Sequence, residues 1–165
     1  MVKKGFTTDS ITHTWPIVTL RLDGRVNNTK DFQHYTEEWS NLYLLASQRG
    51  EKFRLIFDSR NVKKVDISYL YGQAKYLKEV KQLTEMWMDR TAILVSSWTI
   101  KKMIHFVFKF YKPVRPFKVF MESEEVEMYK WIESNDTGEE INNTDYEINN
   151  DDIEKYVTDE NHILD

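Results

Sequence analysis

The first sustained pattern runs from Thr14 to Asp23 (TWPIVTLRLD), where Val18, Leu20 and Leu22 alternate with Ile17, Thr19 and Arg21. Alternation with a period of two predicts a half-buried strand, closed by Gly24. Phe6 to Ile11 reads as a preceding edge strand, with Pro16 kept outside any central ladder. The period then lengthens. Phe32, Tyr35, Trp39, Leu42 and Ala46 recur at spacings of three and four, which predicts a helix with one apolar face. Thr29 is its expected N-cap and Gly50 its stop.

Phe53 to Phe57 reads as a short apolar strand ended by Asp58-Ser59-Arg60-Asn61. A second helix begins at Asp66 or Ser68, turns Leu70, Ala74, Leu77, Val80 and Leu83 inward, and leaves Lys75, Lys78 and Lys81 in solvent. Thr91 to Val95 (TAILV) is apolar throughout, as a strand inside a parallel sheet is. Thr99 is the expected cap of a third helix, IKKMIHFVFKFY, which Pro113 and Pro116 prevent from continuing. Phe117 to Met121 is the last strand. Ser123, with Glu124, Glu125 and Glu127 in a first turn that suits the helix dipole, opens a fourth helix holding Val126, Tyr129 and Ile132. The order β-(β)-α-β-α-β-α-β-α, with short connections, predicts an α/β layer on a mostly parallel sheet of four or five strands.

Charge divides the chain. Residues 135–165 hold 11 Asp or Glu against one basic residue, Lys155, so that segment carries -10 and residues 1–134 carry +6. The acidic segment has too little apolar surface to offset its chain entropy, so a folded domain over 1–134 with a disordered tail over 135–165 is expected. Ile153, Tyr156 and Val157 are the residues there that suit a docked helical turn. The absence of cysteine excludes thiolate metal sites and a cysteine nucleophile. No apolar run approaches the roughly 18 residues of a membrane span, and Lys3 and Lys4 precede no apolar stretch of a signal peptide. A soluble cytoplasmic protein is the expectation.

Catalytic chemistry finds no constellation. Five glycines over the whole chain build no phosphate-cradling loop. Histidines 13, 34, 105 and 162 are scattered without metal-ligand spacing, so neither a metal nor a cofactor is expected. The adjacent carboxylates of Glu37-Glu38 point in different directions on a helix, and Ser96-Ser97 lacks the glycine framework of a nucleophile elbow.

The strongest local pattern is LIFDSRNVKKVDISYL, Leu55 to Leu70. It resembles the central motif of the STAS domain, the family of bacterial anti-anti-sigma factors and sulfate-transporter tails. Asp58 stands at the family's strand-end Asp, Val62 and Val65 at its loop apolars, and Asp66-Ile67-Ser68-Tyr69-Leu70 at its helix opening. VTLRLDGRV resembles the opening strand and its turn, and SSWTIKKMIHFVFKF the later strand end and third helix. The resemblance spans residues 14–133. It departs at Tyr69, where the family has Gly, and at Ile67, where it has its first hydroxyl. The family's regulatory phosphorylation falls on the second hydroxyl, which is Ser68 here. A phosphate there would sit at a helix N-terminus and add about -2 charge. The plainer role of Ser68 or Asp66 is to cap the helix. The general architecture also resembles lipid-carrying SEC14-like domains, which leaves small apolar ligands open.

On the third helix, Ile100, Met103, Ile104, Val107, Phe108 and Tyr111 form the inward stripe and leave Phe106 and Phe110 on the other side. That pair is either an exposed patch for a protein or membrane surface, or is covered by the first strand or the tail. Lys101, Lys102, Lys109, Lys112, Arg115 and Lys118 make this third of the domain basic, which also fits nucleic acid or anionic lipid, gated by the tail. The resemblance implies a non-enzymatic regulatory module that docks a protein, such as a kinase or regulator. Asp58, Asp66, Ser68, Tyr69, Lys75, Phe106 and Phe110 are its expected recognition surface.

Overall fold

The structure is a computed structural model that describes residues 7–11, 14–26 and 28–135. Apart from Asn135, the expected acidic tail lies outside the described residues. Among those residues five strands form one sheet: β1 (Thr7–Ile11), β2 (Ile17–Val26), β3 (Phe53–Val65), β4 (Met88–Val95) and β5 (Phe117–Met121), ordered as in the sequence. β1 is antiparallel to β2, and β2 to β5 are parallel. The helices are α1 (Thr29–Arg49), α2 (Ile67–Glu79), α3 (Lys81–Trp87), α4 (Trp98–Phe110) and α5 (Glu125–Glu133). The expected α/β architecture is thus the one observed, with α2 and α3 together in the place of the second expected helix.

Each parallel crossover steps to the next strand in the same direction, and right-handed connections then put their helices on one face. On that face α1, α2 and α4 cover Phe53, Leu55, Ile93 and Val95. The alternate residues Ile56, Ala92 and Leu94 face the other way and meet Phe120 with Met128 and Ile132 of α5. Two apolar faces on β4 explain why it reads as an unbroken apolar run. Arg54 and Arg90 extend toward the α5 side: Arg54 Nη1 donates to Ile132 O at 2.8 Å, and Arg90 Nη1 to Trp131 O at 3.3 Å and Ser134 Oγ at 3.0 Å. Guanidinium groups on the last carbonyls of a helix satisfy acceptors that have no intrahelical partner and complement the dipole.

Several element boundaries differ from the sequence expectation. Asn28, not Thr29, caps α1, its Oδ1 accepting from Asp31 N at 2.9 Å. Ser97, not Thr99, caps α4, accepting from Ile100 N at 3.2 Å. Gly50 does end α1, at φ 64°, the left-handed conformation that favours glycine. The expected second helix breaks at Val80, and the new helix axis turns Thr84 inward, where its hydroxyl lies 2.7 Å from Tyr43 Oη. Leu83 is therefore 42% exposed. Asp58-Ser59-Arg60-Asn61 does not end β3, which continues to Val65 alongside β2 through two register shifts next to Asp23 and Gly24. β4 starts at Met88, three residues early. Ser123 lies in a 3₁₀ turn before α5, so Met128 rather than Tyr129 shares the inward face with Ile132, and Val126 and Tyr129 are exposed.

Candidate functional site

β3 delivers the chain to α2 at Asp66, whose backbone is extended (φ -69°, ψ 141°). No side chain caps this helix: Asp66 instead faces Arg25 across 3.4 Å. Ser68 is exposed and its hydroxyl makes no hydrogen bond with the described residues, so the capping role open to either residue is filled by neither. Lys75, Lys78 and Lys81 line the solvent side. Tyr69 points the other way. Its ring packs 5.5 Å from that of Phe32, and a Cβ on Gly72, one turn on, would meet Phe32 Cζ at 3.2 Å. The Gly position of the resembled motif is thus taken by an aromatic that fills space under α1, and the glycine that lets α1 approach lies three residues later.

Asp58 is only 5% exposed, so it serves the fold rather than the expected recognition surface. Arg60 holds it through two side-chain bonds of 3.0 and 2.9 Å, and Arg21 lies 3.5 Å away. Burial opposes its ionisation, yet the bonds from Arg60 and the charges of Arg60 and Arg21 outweigh burial and hold the carboxyl below its ordinary pKa. Arg60 also reaches Glu125 at 3.4 Å, tying the strand end to α5.

The aromatic pair on α4 is split by burial. Phe106 is 8% exposed because Tyr71 of α2 closes over it with ring centroids 5.6 Å apart, so it is not a surface residue; the expected cover by the tail lies outside the described residues. Phe110 stays 40% exposed, 5.0 Å from Tyr71, and these two rings with Lys75 are the outer face of the α2–α4 pair. The basic patch is not continuous either. Lys101 is 9% exposed with its ammonium 4.8 Å over the Trp98 ring. Lys118 lies over the Phe120 ring on the α5 side of the sheet, and Arg115 donates to Glu85 O. Lys102, Lys109 and Lys112 remain exposed. On the same helix His105 is half-buried; burial, then the Lys101 charge, lowers its pKa.

Between the helices and the sheet lies a cavity of about 160 Å³. Its wall includes Phe57, Ile93, Met103 and Ile104, with Tyr35, Tyr69 and Gln73 on the α1–α2 side. Burial pushes the Tyr35 hydroxyl well above its ordinary pKa, and a hydrogen bond from Gln73 opposes that rise. Gln73 did not stand among the residues singled out from the sequence, and Tyr35 did so only as part of the apolar face of α1. The available signal was Gln73 itself, an uncharged polar residue between Leu70 and Leu77 on the inward stripe of α2. Among the described residues no cluster of three or more His, Asp or Glu is placed to hold a metal ion, and no described helix is long and apolar enough to cross a membrane.

The sequence matches no protein-family model and no curated protein. Among solved structures, the chain resembles an uncharacterized protein of the DUF3478 family from Shewanella loihica PV-4 with a SpoIIAA-like fold. The two share 13% identity at a TM-score of 0.50, over 78% of this chain and 94% of that one. The unphosphorylated form of the anti-sigma factor antagonist SpoIIAA shares 19% identity at a TM-score of 0.38, over 76% of this chain and 98% of that one.

Proposed function

Since the chain has a SpoIIAA-like fold, we propose that it is a non-catalytic regulatory module that docks a protein partner on the outer face of α2 and α4, under control of phosphorylation at Ser68. The observation that carries this reading is Ser68 itself: an exposed hydroxyl in the first turn of α2 that makes no hydrogen bond among the described residues. A phosphate there gains the free N–H groups of the helix start and alters the charge of the surface that continues through Tyr71, Lys75 and Phe110. Asp66 and Ser68 belong to that surface; Tyr69 and Phe106 support it from beneath, whereas Asp58 is held by Arg60 on the α5 side of the sheet. A polyanion reading has less in its favour, since two of its six expected cations lie covered at Trp98 or on the far side of the sheet.

The test compares full-length wild type with Ser68→Asp as baits for proteins from the native lysate, with thermal unfolding of both. The expected result is a protein retained by one bait and lost from the other, at closely similar melting temperatures. Identical captured proteins on both baits would overturn the phosphorylation reading. A lower melting temperature for Ser68→Asp and for Ser68→Ala would show instead that the hydroxyl serves the fold.

A further inference from the structure

β5 is an edge of the sheet: among the described residues β4 is its one strand neighbour. Thr91 N donates to Pro116 O at 3.0 Å, and a parallel ladder then runs through alternate residues. Pro116, Lys118 and Phe120 therefore turn their backbone groups toward β4, and Phe117, Val119 and Met121 turn theirs outward. Met121 agrees with this phase, since its N–H donates to Glu124 Oε2 at 2.7 Å. The Glu124 carboxylate thus stands where an acceptor from an adjoining strand would stand. No comparable bond serves Phe117 or Val119 among the described residues.

An unpaired row of this kind is a template for another strand, and proteins that keep it unpaired blunt it with proline or lysine. Neither residue does so here. Pro116 lacks its N–H on the side of β4, where the outer edge is unaffected, and Lys118 lays its ammonium 5.2 Å from the centroid of the Phe120 ring on the α5 side. The order of charges says what fits this edge. Arg115 and Lys118 precede Val119, whereas Glu122, Glu124 and Glu125 follow it. A segment so arranged sets like charges together against a parallel copy of itself and opposite charges together against an antiparallel one. A two-fold axis perpendicular to the sheet gives the antiparallel arrangement.

We propose that β5 pairs antiparallel with β5 of a second copy of this chain, about a two-fold axis at Val119, and so joins two sheets into one. The two Val119 residues exchange N–H···O bonds. Phe117 O of each copy replaces Glu124 as the acceptor of the other copy's Met121 N–H, and the released Glu124 carboxylate meets the Lys118 ammonium across the axis. Val119 and Met121, half-buried against the helix side of the sheet, become covered.

Sedimentation of the full-length chain, with amide hydrogen exchange at Phe117 and Val119, tests this. Wild type at about 100 μM is expected to run at twice 19.9 kDa with both amides protected. Lys118→Glu and Glu124→Lys should each raise the dimer Kd at least about tenfold, because each sets like charges across the axis. Mixing the two variants should restore the dimer, since every pair at the axis then has opposite signs again, and restoration excludes misfolding of either variant as the cause. A monomeric wild type overturns the proposal. So does a dimer that both single variants leave intact, a mixture that stays monomeric, or a dimer whose Phe117 and Val119 amides exchange as fast as those of the single variants.

Discussion

Arg60 grips Asp58 from two residues further along the same strand, with Nε 3.0 Å from one carboxylate oxygen, Nη2 2.9 Å from the other, and its own backbone N–H 3.2 Å from the first. A fork of this kind matches both lone-pair directions of a carboxylate, which is why a segment of Asp, Ser, Arg and Asn stays in the sheet where its composition suggests a turn. Ser59 adds to the effect by donating across to Leu94 O on β4.

The pair gives the fold an acid dependence of definite sign. Asp58 has a lower pKa folded than unfolded, so its contribution is present above the ordinary carboxylate value near 3.9 and is lost as pH falls through the lowered folded value. Asp58→Asn is expected to destabilise the chain by about 2 kcal/mol at neutral pH and to flatten the acid decline below pH 4 (~). Urea unfolding from pH 2 to 7 (~) measures both. Parallel curves for the two proteins would mean that the carboxylate is no more stabilised folded than unfolded.

The close approach of α1 to α2 rests on Gly72 and Phe32. Gly72→Ala gains about 1 kcal/mol of helix propensity, but its new Cβ meets the Phe32 ring. That gain should appear in full only in a Phe32→Ala background, with a smaller or reversed effect in wild type. A double-mutant cycle of chemical denaturation measures the difference. Equal increments in both backgrounds would place the ring out of the methyl group's reach.

Phe106 and Phe110 are four residues apart and play different parts. Phe106→Ala should cost about 3 kcal/mol of stability, as a buried aromatic truncation does, whereas Phe110→Ala should cost under about 1 kcal/mol and act on partner capture instead. Thermal melts and retention assays on the two variants separate these effects. Similar losses of stability would contradict the cover that Tyr71 gives to Phe106.

The elements whose burial follows a clean period were legible in advance: the alternation over β2, the three-and-four spacing of α1, and the unbroken run at β4. Features missed depend on contacts between elements. Val80 carries neither Gly nor Pro chemistry, and the helix breaks there because turning Thr84 toward Tyr43 satisfies a buried hydroxyl. Lys101 reads as solvent-facing by charge, yet its ammonium finds the Trp98 ring three residues back. Met128 displaced Tyr129 because a 3₁₀ turn shifted the phase of α5. At the candidate site, the motif located the start of α2 and the exposure of Ser68. It carried no trace of the cavity, which is a shortfall of volume between α1, α2, α4 and the sheet, and no single residue encodes such a shortfall.

Arg54 and Arg90 hold the last carbonyls of α5 and the hydroxyl of Ser134, so both guanidinium groups tie the end of that helix to the sheet. That anchorage lies on the layer opposite α2 and α4.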